Sequence, residues 1–241
     1  MSDAHILVTG GSGLLGTALQ KAMPRALYPA SDEFNVCDPE QMRRYVAGRD
    51  ITTVFHGAAF TSPPKIDENP IKALDSNIAG TANVVKLCFE NGWRLVYIST
   101  DYVFKGDKGR YGENDEVLPQ NKYAWSKLGG ECAVRLYDNS LIVRTSLGED
   151  EFPYPKAFVD QWTSRQPVTA IAAKLVEIIR REDLRGVLHV GGERRTIMEY
   201  AREISPGKDI GELSINDVAF TVPVDTSLDT ARYKSLFKES K

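Results

Sequence analysis

The chain has 241 residues, 42% of them apolar, with 30 Lys and Arg against 33 Asp and Glu for a net charge of −3. That is enough length and apolar content for one large domain, or one domain with a smaller lobe, and it excludes disorder as the resting state. The near-neutral balance leaves no basic footprint for nucleic acid, and no apolar run reaches the ~18–20 residues of a membrane span, so neither partner is expected.

Met1-Ser2-Asp3-Ala4-His5 carries no basic region and leads straight into a strand, so no signal peptide is expected. His5–Thr9 is a short apolar run ending in glycines and reads as a buried strand. A helix follows over Gly13–Met23, ended by Pro24, and Ala26–Tyr28 reads as a weak second strand. Asp38-Pro39 has the form of an N-cap followed by proline at the first helical position, opening a helix to about Ala47. Thr52–His56 is a third strand, Pro70–Glu90 a long helix stopped at Asn91-Gly92, and Arg94–Ser99 a fourth strand. Asn121–Tyr137 is read as helix and Leu141–Arg144 as a fifth strand.

The last third is less regular. Phe152-Pro153-Tyr154-Pro155 reads as a loop, and Ala157–Thr163 as helix. Ile171, Leu175, Ile178 and Ile179 make an apolar stripe on a helix over Ala170–Arg181. Val187–Val190 adds a sixth strand, Thr196–Glu203 a short helix, and the tail from about Asp225 is at most amphipathic. Strands separated by helices imply βαβ crossovers and an α/β fold whose parallel sheet is doubly wound, covered on both faces, with about six or seven strands. Cys37, Cys88 and Cys132 are odd in number and lack metal spacing, so they read as reduced thiols of a cytoplasmic protein.

Two constellations carry chemistry. Gly10-Gly11-Ser12-Gly13-Leu14-Leu15-Gly16 places G-x-x-G-x-x-G between the first strand and first helix. A dinucleotide pyrophosphate needs a tight turn, close backbone approach and a helix N-terminus aimed at it, which Gly10, Gly13 and Gly16 suit. The second is Tyr123-Ala-Trp-Ser-Lys127, whose ends share one helix face. An ammonium beside a phenol favours phenolate, so Tyr123 can give or take a proton at a carbonyl or carbinol oxygen. The fourth strand ends in Ser99-Thr100-Asp101. A hydroxyl at the carboxyl end of a parallel strand faces the ligand crevice, so Thr100 is expected to bind the same substrate oxygen as Tyr123. His5, His56 and His189 are scattered and read as packed or edge histidines, and no metal-ligand set is visible.

With those residues the sequence resembles the extended short-chain dehydrogenases/reductases, and within them the dTDP-4-dehydrorhamnose reductase family. The resemblance rests on Val8–Gly16 (VTGGSGLLG), Gly57-Ala58-Ala59-Phe60-Thr61, Asn77 with Gly80-Thr81-Ala82-Asn83, and Ser99–Phe104 (STDYVF). Pro119-x-Asn121-x-Tyr123-x-x-Ser126-Lys127-Leu128-x-Gly130-Glu131 and Arg144-Thr145-Ser146 continue it. It implies a Rossmann-type fold with Thr100, Tyr123 and Lys127 as catalytic triad: substrate-oxygen binder, proton donor, and the cofactor-ribose binder that tunes Tyr123. It further implies that Gly10, Ser12, Gly13, Leu15 and Gly16 hold the pyrophosphate, with Asp38 near the adenine, Ala58, Ala59 and Thr61 along the cofactor, and Ser99 near the nicotinamide. Asp101 and Tyr102 lie beside the substrate by the same resemblance, and Arg165 is a candidate for its diphosphate. Asn77 is either structural or close to the cofactor.

Three positions depart from the family pattern. Pro63-Pro64 stand where an aliphatic residue and an Asp are usual, so the loop Ser62–Lys65 is either a rigid surface loop or a mark of a different substrate. Leu147 replaces an aromatic residue after Arg144-Thr145-Ser146. After Val168 a stretch that helps shape the substrate lobe in relatives is absent, through natural deletion or a trimmed chain. The expectation is one NAD(P)-binding domain over 1–241, with about 147–170 and 192–241 contributing a small, reduced C-terminal lobe.

The implied function is NAD(H)- or NADP(H)-dependent reduction of a keto group on a nucleotide-activated deoxysugar, with a nucleotide sugar as partner and a homodimer left open. An epimerase or dehydratase that retains its cofactor is one alternative. The other is a non-catalytic cofactor-binding subunit like the regulatory β subunit of methionine adenosyltransferase, which resembles the same family.

Overall fold

The computed structural model describes residues 3–218 and 221–237. In chain order it forms β1 (Ile6–Thr9), α1 (Leu14–Ala22), α2 (Pro39–Val46), β2 (Thr53–His56), α3 (Pro63–Glu68) and α4 (Ile71–Ala73). A π-helical stretch, Leu74–Gly80, leads into α5 (Thr81–Asn91), followed by β3 (Arg94–Thr100), α6 (Lys122–Val134) and β4 (Ser140–Thr145). Short strands β5 (Leu147–Gly148), β6 (Lys156–Phe158), β7 (Trp162–Thr163) and β8 (Gln166–Pro167) precede α7 (Val168–Arg180) and β9 (Gly186–Val190). The chain then forms β10 (Arg195–Thr196), α8 (Ile197–Ile204), β11 (Gly211–Leu213) and α9 (Ala231–Leu236).

These elements divide into two compact units. The first comprises Met1–Ser99, Asn121–Val143 and Ala172–Val187, the second Thr100–Gln120, Arg144–Ile171 and Leu188–Lys241. The central sheet has the order β1-β2-β3-β4-β9. Its first three strands run parallel, with Val8 opposite Phe55 and Phe55 opposite Val96. Every residue of β1, β2 and β3 is buried, as a sheet covered on both faces requires. The expected strand at Ala26–Tyr28 is reduced to a single parallel bridge, Leu27 to Leu7, held by Val8 N–H to the Leu27 carbonyl and Leu27 N–H to the Ile6 carbonyl, each 2.8 Å. The sheet is therefore five strands and a bridge among the described residues, one or two strands short of the six or seven expected. That bridge still puts β1 between neighbours reached by crossovers in opposite directions, the switch point outside which open α/β sheets bind ligands.

The helices form where caps and periodicity put them. Asp38 caps α2 through its carboxylate, which accepts from Glu40 and Gln41 N–H, and Pro39 needs no donor there. Gly92 ends α5 in the left-handed region at φ 70°. Ile171, Leu175, Ile178 and Ile179 are all buried on α7. Arg94, buried on β3, donates 2.8 Å to the Ile179 carbonyl near the end of α7. Leu7, Val54, Leu87, Leu95, Val134 and Ile142 belong to one apolar cluster of the first unit, and Phe152, Ala157, Met198, Tyr200 and Ile210 to a smaller one of the second.

Three expectations are corrected. Pro63-Pro64 do not make a loop but open α3, at positions whose N–H groups have no helical partner in any case. Ala157–Thr163 is not helical: Ala157 pairs with Glu212 in β6–β11, and Thr163 with Arg195 in β7–β10, so non-local pairing overrides local propensity. The tail from Asp225 begins as a buried polar segment, Asp225–Leu228, before α9; its residues 238–241 lie outside the described residues. No helix among the described residues is long and apolar enough to cross a membrane.

Candidate active site

In the first unit the glycine-rich turn joins β1 to α1. Gly10 has φ +78°, and a Cβ there would lie 2.8 Å from the Ala58 nitrogen. A Cβ on Gly16 would lie 2.2 Å from the Gly10 carbonyl oxygen, so this position admits no side chain without moving backbone. Gly13 is the N-cap of α1 and supplies no capping side chain, and none of the first-turn residues is acidic. Ser12 and Gly13 are exposed. The turn thus presents helix N–H groups at the carboxyl end of β1, an arrangement that suits a phosphate group. Ala58 and Ala59 are half-buried and Thr61 is exposed after β2. The Ser99 hydroxyl, buried near the end of β3, has no partner among the described residues.

A chain of side-chain hydrogen bonds runs from this turn to α6. Ala58 N–H donates to Thr9 Oγ1 at 3.1 Å, and Thr9 Oγ1 lies 2.7 Å from His56 Nδ1. His56 Nε2 lies 3.0 Å from Thr81 Oγ1, which donates to the Asn77 carbonyl at 2.7 Å. With its proton spent, Thr81 accepts from His56 Nε2–H, so Nδ1 accepts from Thr9. Burial, helped by the Lys127 charge, pushes the His56 imidazole down to about 3, so it stays neutral. The π-helical stretch carries Asn77, whose Nδ2 donates 2.9 Å to the Phe60 carbonyl and 2.8 Å to Ser126 Oγ, while its Oδ1 accepts from Phe60 N–H. Ser126 in turn donates to the Tyr123 carbonyl at 2.7 Å. Asn77 is therefore structural here, and Thr9 and Thr81, which lie inside the family-like segments Val8–Gly16 and Gly80–Asn83, join the glycine turn to it through His56.

Helix α6 carries Tyr123, half-buried, and Lys127, buried one turn later. Asn121 caps it through Ala124 N–H at 2.8 Å. The Lys127 ammonium lies 4.2 Å from the centre of the Tyr97 ring. Burial pushes it down to about 7, against the pull of Glu131. A lysine so placed changes charge in the working range of an enzyme.

In the second unit Thr100, closing β3, is buried; its hydroxyl donates to Asp101 Oδ1 at 3.2 Å and accepts from Tyr102 N–H. Asp101 is buried, and Arg165 lies close enough to act on both Asp101 and Tyr102. The Arg165 Nε is buried with no partner among the described residues. Asp38, expected near an adenine, is exposed, and its carboxylate caps α2. Among the described residues no group of side chains could hold a metal.

The family profile for the RmlD substrate binding domain matches residues 4–226. The chain belongs to that family. A dTDP-4-dehydrorhamnose reductase of Mycobacterium tuberculosis H37Rv is 34% identical over 152 residues, which cover 59% of this chain and 49% of the relative. The chain thus spans about half the length of the curated reductase it matches. Methionine adenosyltransferase 2 subunit beta of Rattus norvegicus is 27% identical over 239 residues, 83% of this chain and 71% of the relative. Among solved structures, a hypothetical dTDP-4-dehydrorhamnose reductase from Sulfolobus tokodaii superposes with a TM-score of 0.83 at 27% identity, covering 97% of this chain and 94% of that one.

Proposed function

We propose that the protein is an NAD(P)H-dependent reductase of a keto group on a nucleotide-activated deoxysugar. The observation that carries this reading is the pairing, in one unit, of an uncapped glycine turn at the switch point with a helix presenting Tyr123 and a buried Lys127. Membership of the family and the reductase relatives support it. The residues fit a dinucleotide: Gly10, Ser12, Gly13, Leu15 and Gly16 for the pyrophosphate, Ala58, Ala59 and Thr61 along its length, and Ser99 near the nicotinamide. When bound, NADH or NADPH supplies the hydride.

Tyr123 then donates a proton to the keto oxygen. Lys127 holds the ribose hydroxyls, and its positive charge favours the phenolate left behind. Thr100 hydrogen-bonds the substrate oxygen, Asp101 and Tyr102 border the sugar, and Arg165, with its spare Nε–H, takes the diphosphate. Residues 147–170 and 192–241 supply the substrate lobe. The proposal includes a cytoplasmic location, supported by three free cysteines, and leaves a homodimer open.

The second reading is a cofactor-binding regulatory subunit, favoured by the longer match to the methionine adenosyltransferase β subunit. Loss of cofactor absorbance decides between them, using NADH and NADPH with dTDP-4-keto-6-deoxy-L-mannose and other keto-sugar nucleotides. The reductase turns over, and Tyr123→Phe cuts turnover by about 10²–10⁴-fold while cofactor binding stays nearly intact. Equal turnover in the variant would defeat the mechanism. Cofactor binding without turnover on any sugar would favour the regulatory subunit, or an epimerase if NAD is retained through purification.

A further inference from the structure

We propose that Asp225–Ser227 is a polar strap in which Thr226 positions the Thr100 hydroxyl by fixing the Asp101 carboxylate. The inference rests on the reductase reading of Thr100 and extends it to a residue far along the chain.

All three strap residues are buried, and so is Leu228. The segment is sewn to two others in the same unit. Asp225 N–H donates to the Gly106 carbonyl at 2.9 Å, Tyr111 N–H to the Ser227 carbonyl at 2.9 Å, and Arg110 N–H to Ser227 Oγ at 2.9 Å. On the other side Trp162 N–H donates to the Val224 carbonyl, Thr226 N–H to the Trp162 carbonyl, and Leu228 N–H to Ser164 Oγ. Asp225 ties the strap to itself and to Arg194: its Oδ1 accepts from Ser227 N–H and Oγ–H, and its Oδ2 from Arg194 Nε at 2.7 Å. Room for that carboxylate exists because residue 109 is glycine, where a Cβ would lie 2.0 Å from Asp225 Oδ2.

So held, Thr226 has one side-chain proton and gives it to Asp101 Oδ2 at 2.6 Å. The other carboxylate oxygen accepts the Thr100 proton at 3.2 Å. The Thr100 oxygen accepts Tyr102 N–H at 3.2 Å. The free protein therefore holds the Thr100 proton on Asp101, and a keto oxygen receives it by rotation of the hydroxyl alone. Without Thr226 the carboxylate loses its shortest bond and is held only by Thr100, Ser146 and the Arg165 charge, which loosens its aim at that proton. Asp101 is thereby a positioning residue one step from the chemistry, and Thr226 two steps.

The groups facing Asp101 are Thr226, Arg165, Thr100 and Ser146, with the Tyr102 phenol as the neighbouring acid. Burial lifts the Asp101 carboxyl above its ordinary range, and the Thr226 hydrogen bond pulls it back. The first test needs no substrate: ¹³C NMR titration of aspartate-labelled protein, with the Asp101 resonance assigned by its loss in Asp101→Asn. Thr226→Val raises the midpoint, Thr226→Ser restores it, and Ser227→Ala, which loosens the strap without touching Asp101, lowers thermal stability but leaves the midpoint in place. A midpoint unmoved by Thr226→Val overturns the proposal. The second test is turnover: Thr226→Val lowers kcat about tenfold with the cofactor KM unchanged, and Thr226→Ser recovers it. Unchanged kcat in Thr226→Val, with wild type active and Tyr123→Phe dead, defeats the strap's role while sparing the reductase. A wild type inactive on every sugar defeats the reductase and the catalytic half of the strap together, and the titration alone then decides whether Thr226 fixes Asp101.

Discussion

Buried polar groups are handled differently in the two units. In the first, Thr9, His56, Thr81, Asn77 and Ser126 form a relay of neutral groups in which each proton has one assigned acceptor. In the second, two buried carboxylates, Asp101 and Asp225, are each surrounded by donors from an irregular strap and its neighbours. The relay is neutral and fixes geometry with no titrating charge of its own, and the buried Lys127 beside it is the group that loses its proton near pH 7. A carboxylate held by hydroxyls is adjustable, since moving one proton changes what its neighbours can donate. On the proposed reading, rigidity is thus placed at the glycine turn, and adjustability at Thr100.

The largest break in this contrast comes from adding one methyl to each region. Gly16→Ala forces backbone apart at the turn, and Gly109→Ala drives a Cβ into Asp225 at a φ of +69°. Each is expected to cost about 3 kcal/mol by denaturant unfolding. Only Gly16→Ala removes cofactor binding; Gly109→Ala leaves it in place.

Next in size is His56→Leu, which leaves the Thr9 proton without its acceptor and the Thr81 oxygen without its donor, at about 2 kcal/mol. The unfolded imidazole takes a proton below about 6.5, whereas the folded one resists until about 3. Wild-type stability from this group is full above pH 6.5 and is lost as pH falls toward 3. The variant's deficit is therefore greatest above pH 6.5 and narrows on acidification, as a series of unfolding curves would reveal. A deficit that widens in acid would mean that the histidine is charged in the fold.

Smallest is Lys127→Met, and its sign is opposite. The folded ammonium loses its proton near pH 7 and the unfolded one near 10.5, so burying the charge costs most below pH 7 and nothing above 10.5. The variant gains about 2–4 °C in Tm at pH 6, a gain that shrinks as pH rises, while turnover is lost.

In the first unit the glycine turn and the Tyr123–Lys127 face were legible because each is local in sequence, whereas the relay from Thr9 to Ser126 joins residues 25 to 49 apart and was not. Gly10–Gly16 and Tyr123–Lys127 bring their partners with them, and Asp38-Pro39 and Asn91-Gly92 are caps that act within a turn. The strap was not readable for the converse reason. Asp225-Thr226-Ser227 has the composition of any turn, and its meaning comes from Gly106, Trp162 and Asp101, each more than 60 residues away. The same holds for Ala157–Thr163, whose pairing partners β10 and β11 lie far along the chain. Pro63-Pro64 misled in another way: proline is punctuation inside an element but a natural opening for one.

Transfer of deuterium tests the central claim most directly. With NADPH or NADH dideuterated at C4 and a keto-sugar nucleotide, mass spectrometry of the product reads where the hydride went. A product sugar carrying one deuterium at the former keto carbon, formed by the wild type and not by Tyr123→Phe, is the expected result. An unlabelled product, or a cofactor that binds and returns with its label intact while the sugar is epimerised, would contradict the reductase.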